Sequence, residues 1–174
     1  MTDAPVAFPA MDLLAQMKPG DSIDMPHISQ EEIEEIECLM LEHTTLGEQV
    51  VEPATPTQNH FAPGMYVREM FIPAGSMLVG KAHVHEHLNI LLSGSMYVRM
   101  EDKLHYFKAP CIFKSGVGTK KIGYHPEDTR FATVHVNEDD ETDITILEAR
   151  YALSSEKVEA CRKRLMERRT QEVE

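Results

Sequence analysis

Between Gly80 and Gly94 the chain reads GKAHVHEHLNILLSG, with His83, His85 and His87 at alternate positions and Asn89 two residues further on. Neutral imidazoles gathered from rigid strands are common ligands of zinc and other first-row metals. Side chains on a strand alternate faces with a period of two. A strand through this segment therefore turns the three imidazoles and the amide to one side. His83 and His85 form the natural ligand pair, and His87, Asn89, His125 and His135 are candidate additional ligands, with His105 also available. The alternative is a set of inward histidines hydrogen-bonded to Asn89, Thr133 or water, because buried polar groups find partners. A second centre of interest is GVGTKK, which sets Lys120 and Lys121 beside an open glycine turn. Lys121 is a candidate partner for an anionic ligand, although a solvated turn lysine is the commoner arrangement. SGVG lacks the Lys-Ser/Thr pair and following helix of a phosphate loop and reads as a β-turn. Ser93, Ser95 and Ser115 have no visible nucleophile–base setting, so no catalytic residue is assigned.

Strands are needed to position these groups. From Met65 to Leu153, short apolar segments alternate with turn sequences such as PAG, SG, ED, KAP, SGVG and HPED. This is the pattern of a β-sandwich or small barrel, and no long helical segment interrupts it. TDITILEARYAL is read as the last strand. The histidine segment carries Val84, Leu88, Ile90 and Leu92 on its other face. A strand that is apolar outside as well as occupied inside needs outer cover. The candidates are a helix from the N-terminal region or a second subunit.

Residues 1–64 form an acidic helical arm and linker. SQEEIEEIECLMLEH predicts a helix after Ser29, with Ser29 and Glu32 as a capping box. Its early glutamates suit the positive end of the helix dipole, and Ile33, Ile36, Leu39 and Met40 form one apolar stripe. MDLLAQM predicts a shorter helix. LGEQVVEPATPTQNHFAPG reads as an extended linker. Residues 154–174 predict a C-terminal helix capped by Ser154 or Ser155, with a narrow stripe of Val158, Cys161 and Leu165.

The chain has 174 residues and a net charge of −12. That balance argues against a nucleic-acid surface, which needs Lys and Arg to displace phosphate counterions. The acidic arm contrasts with the basic end EKVEACRKRLMERR; the two are solvated helix faces, or complementary ends that meet in an oligomer. No apolar run is long enough to span a bilayer, and MTDAPVAFPAMDLL lacks the features of a secretory signal. Cys38, Cys111 and Cys161 are few, odd in number and scattered. Neither a disulfide framework nor a Cys-x-x-Cys metal site is indicated, and a reducing, cytoplasmic setting is expected.

PAGSMLVGKAHVHEHLNILLSG, with Pro73-Ala74-Gly75, His83, His85 and Gly94 in order, resembles the first motif of the cupin superfamily. CIFKSGVGTKKIGYH, with Gly118 at the turn, resembles the second. The resemblance covers Met65 to Val136 and implies an all-β, double-stranded β-helix (jelly-roll) barrel over residues 65–153 that forms a dimer or ring. Two of the family's four ligand positions are changed: Asn89 or Ile90 stands at the glutamate slot, and Lys121 at the second-motif histidine slot. HVHEHLNILLSGSMYV and GTKKIGYHPEDTRFATVHV are similar to small cupin-like proteins encoded by tailed bacteriophages. This similarity implies a non-catalytic accessory or virion-associated protein in the host cytoplasm or virion, with other virion proteins as partners and a degenerate metal site. One alternative is a metal-dependent isomerase or dioxygenase in which His83, His85 and His125 or His135 hold Fe(II), Mn(II), Ni(II) or Zn(II). Another is a small-molecule sensor built around Lys121.

Overall fold

The period-two alternation of the β region is realised strand by strand in the computed structural model, which describes residues 8–44, 56–100 and 102–172. The chain begins with α1 (Met11–Leu14), β1 (Ser22–Asp24) and α2 (Gln30–Thr44). β2 (Thr57–Ala62), β3 (Gly64–Ile72), β4 (Ser76–Gly80), β5 (His87–Ser93) and β6 (Ser95–Met100) follow. β7 (Lys103–Lys108), β8 (Cys111–Ser115), β9 (Lys121–His125) and β10 (Thr129–Asn137) lead to α3 (Ile144–Tyr151) and α4 (Glu156–Glu172). The strands form two five-stranded sheets, ordered β1-β7-β6-β9-β4 and β2-β3-β10-β5-β8, with antiparallel pairing throughout. The molecule is mostly β, as the alternation implies.

The inner faces of the sheets meet in an apolar layer of Leu91, Met96 and Val98 with Phe107, Phe113 and Phe131. The outer face of the first sheet is covered by the N-terminal region. Leu14 and Met17 pack on Tyr97, Leu104 and Tyr106. Ile28, Ile33 and Ile36 pack on Ile122 of β9. Burying an isoleucine of this kind stabilises the fold by about 1.5–3 kcal/mol. The capping box at α2 forms as its sequence predicts: Glu32 N–H donates to Ser29 Oγ at 3.2 Å, and Ser29 N–H donates to the Glu32 carboxylate at 2.8 Å. At α4, Val158 N–H donates to Ser155 Oγ at 3.3 Å, and Val158, Cys161 and Leu165 are buried.

Several expectations are corrected. The Cys38 and Cys161 sulfurs are joined in a disulfide, with Cα atoms 5.9 Å apart. Their wide spacing in sequence concealed this, because it depends on α2 and α4 lying side by side. TDITILEARYAL is not a strand. Asp143 accepts from Thr145 N–H at 2.8 Å, capping α3, and Leu147 and Tyr151, one helical turn apart, dock on Tyr66. Within the expected linker, residues 57–62 form β2, paired from Thr57↔Met70 to Ala62↔Met65. The earlier part of that stretch, residues 46–55, lies outside the described residues, as do residues 1–7 of the N-terminus. The histidine segment starts as a strand only at His87. Before it, the backbone is taken by other partners: Gly118 N–H donates to His83 O at 2.9 Å, Val84 N–H to Tyr151 O at 2.9 Å, and Leu153 N–H to Ala82 O at 2.8 Å. Among the described residues no helix is long and apolar enough to cross a membrane.

Candidate functional site

β5 turns His87, Asn89 and Leu91 inward and leaves Leu88 and Leu92 facing out. β10 runs beside it in register Asn89↔Thr133, which places His135 one inward step beyond Thr133, opposite Tyr66 of β3. His83 joins them from the loop held by α3 and the glycine turn. The three ring centroids lie 4.2 Å (His83–His87), 5.0 Å (His83–His135) and 5.3 Å (His87–His135) apart. His135 also stacks on Tyr151 at 4.6 Å and on Tyr66 at 5.9 Å.

The expected His83/His85 pair does not form. His85 is exposed to solvent, because the loop breaks the alternation that would have aligned the two. His125 is buried on β9 with an unpartnered Nδ1, and no hydrogen bond or ring contact joins it to the trio. His105 stacks on Phe107 at 5.7 Å and is also apart from the trio.

Lys121 enters from β9 and donates to Ser115 Oγ at 2.6 Å, and Asn89 Nδ2 donates to the same oxygen at 2.8 Å. Asn89 Oδ1 is buried and accepts no hydrogen bond within the distance and angle of one, while the neighbouring Asn89 side chain favours the protonated form of His87 against the larger effect of burial. Burial is the main force on His83, His87, His135 and Lys121. It pushes His83 down to about 3, with His87, His135, Lys121 and Arg68 adding repulsion. It pushes His135 down to about 4, lowers His87, and pushes Lys121 down to about 8. At pH 7 the imidazoles are neutral and Lys121 is mainly an ammonium. Among the described residues no carboxylate pairs with it, whereas Arg68 and Lys81 reach Glu148 at 2.8 and 3.5 Å.

His83, His135, Asn89, Lys121, Arg68, Lys81 and Glu148 line a cavity of about 580 Å³ between the sheets, bounded by α2 and α3. Its lining carries four cationic side chains, Arg68, Lys81, Lys121 and Arg162, against the carboxylates Glu37 and Glu148.

A divalent cation does not fit this arrangement. Neutral imidazoles are the correct ligand form, but an ion lies in the plane of each ligand ring. His83 Nδ1 is 3.1 Å from both ring nitrogens of His87, which puts it over the face of that ring. Among the described residues no carboxylate completes the set, and the Lys121 ammonium repels a cation. Among the described residues no group of three or more His, Cys, Asp or Glu side chains has the geometry to hold a metal ion. The sequence signal for His87 as the central member was the short hairpin from Asn89 to Gly94. Moving the motif two residues earlier puts His87 in the carboxylate slot and lengthens that hairpin. Tyr151 was missed because its segment was read as a strand.

No protein-family model matches the chain, and no curated protein matches it. Among solved structures it is similar to KdgF from Halomonas sp., at 14% identity and a TM-score of 0.45, over 58% of this chain and 94% of that one. It is also similar to a cupin superfamily protein from Desulfitobacterium hafniense DCB-2, at 6% identity and a TM-score of 0.42, over 51% of this chain and 83% of that one. A third is an RmlC-like cupin with a double-stranded β-helix fold from Methanocaldococcus jannaschii, at 14% identity and a TM-score of 0.40, over 52% and 88% of the two chains. The chain is a mostly-β protein of two antiparallel sheets, and its structural neighbours include cupin superfamily proteins.

Proposed function

We propose that this protein binds a small organic anion in the cavity between its sheets. Lys121 supplies the counter-charge, and His83, His135 and Asn89 supply directional hydrogen-bonding groups. The observation that carries this reading is a half-buried ammonium lining a cavity, without a carboxylate partner among the described residues. The virion-associated role and the metal-dependent enzyme both rest on sequence resemblance, whereas the Lys121 ammonium at the cavity favours ligand binding.

Thermal melting with acetate, benzoate and inorganic phosphate tests the reading, followed by titration calorimetry on whichever anion stabilises the protein. A hydrogen bond to a charged group contributes about 1.5–3 kcal/mol. Lys121→Met is therefore expected to weaken binding at least tenfold while leaving the fold intact. A Lys121→Met protein that keeps every anion-induced shift would overturn the proposal.

A further inference from the structure

The strand register sorts the cavity wall into two halves. Along β3 and β10, Tyr66 lies opposite His135 and Arg68 opposite Thr133. One step further, Met70 lies opposite Phe131, and then Ile72 opposite Thr129. Across the cavity, Lys121 pairs with Gly80 and Gly123 with Leu78. Charged and polar groups thus occupy one end, and Met70, Ile72, Leu78 and Phe131 the other. Met40 and Leu41 of α2 extend the apolar wall. Unbranched methionines adapt to a flexible chain better than a rigid aromatic wall does. At the polar end, Arg68 and Lys81 share Glu148, and Arg162 reaches Glu37 at 3.3 Å. Lys121 is left to meet a single negative charge.

We propose that the ligand is an amphiphilic monocarboxylate, with its head at Lys121 and an aliphatic chain along the Met70–Ile72–Leu78 wall. This inference rests on the anion-binding reading above and specifies the ligand class. A cavity of this size, mainly apolar with a few convergent polar groups, suits such a molecule.

Titration calorimetry of the full-length protein with butyrate, octanoate and octan-1-ol tests it. Four additional buried methylenes are expected to make octanoate bind about a hundredfold tighter than butyrate. Lys121→Met is expected to weaken octanoate at least tenfold and leave octan-1-ol unchanged. Equal affinity for butyrate and octanoate would overturn the chain assignment while leaving anion binding standing. Octan-1-ol binding as tightly as octanoate would overturn the head-group assignment. If octanoate, butyrate, acetate, benzoate and phosphate all fail to bind, the anion-binding reading falls and this inference falls with it.

Discussion

His83, His87 and His135 are close enough that a proton on one opposes a proton on the others, and burial opposes all three. Their neutrality ties stability to pH with a definite sign. An unfolded histidine titrates near 6.5, whereas folded His83 and His135 titrate near about 3 and about 4. The unfolded chain therefore binds more protons below pH 6.5. Stability is full above that value and falls as pH drops toward 4. Each such imidazole contributes a slope of up to about 1.4 kcal/mol per pH unit, less for one that is partly exposed. His135→Phe keeps a ring stacked between Tyr66 and Tyr151 but removes one titrating group. Urea unfolding of this variant at pH 7.5, 6 and 5 is expected to show a shallower decline than wild type. An unchanged slope would remove His135 from this account. The three residue types were legible in the sequence, but their convergence was not, because His83 reaches His87 through a loop rather than along a strand.

At the scale of elements, α2 and α4 act as a clasp. Their stripes were readable separately from helical periodicity and capping residues. That the stripes face each other is a tertiary fact, and the Cys38–Cys161 bond follows from it. Glu37 reinforces the clasp: its carboxylate lies 2.7 Å from Lys120 and 3.3 Å from Arg162, tying α2 to the β8–β9 turn and to α4. The disulfide joins residues 123 positions apart, so it restricts a large loop in the unfolded chain. Removing such a bond typically costs about 2–4 kcal/mol. The Cys38→Ser, Cys161→Ser double variant is expected to show that loss in denaturant unfolding. Peptide mapping without reductant is expected to recover the linked pair. Equal stability of variant and wild type would show that the clasp does not depend on the bond. α3 was illegible for a different reason. Its alternating start satisfies a strand pattern, and only the Asp143 cap and the fit of Leu147 and Tyr151 onto Tyr66 decide for a helix.

At the scale of the whole molecule, the two sheets have different outer faces. The N-terminal region covers the first. On the second, Met65, Leu88, Leu92, Ile112 and Val136 are exposed. The sequence offered two covers for this face, and the helix stripe went to the other sheet. Exposed apolar residues contiguous on a sheet are a feature of interaction surfaces. Self-association through this face is the expected outcome. Sedimentation velocity across the micromolar range is expected to show a dimer or larger ring for wild type and a monomer for Leu88→Glu combined with Val136→Glu. A wild-type monomer at every concentration would remove the homo-oligomer from the reading.

Alternation, turn residues and caps are local properties, written in neighbouring side chains, so the amino-acid order alone determined the β architecture, α2, α4 and the inward course of Asn89. Which histidines meet, which cysteines bond and which sheet the arm covers depend on backbone partners far away in the chain. Those partners became visible only when Gly118 and Tyr151 were seen to take the hydrogen bonds around His83 that a longer β5 would have used.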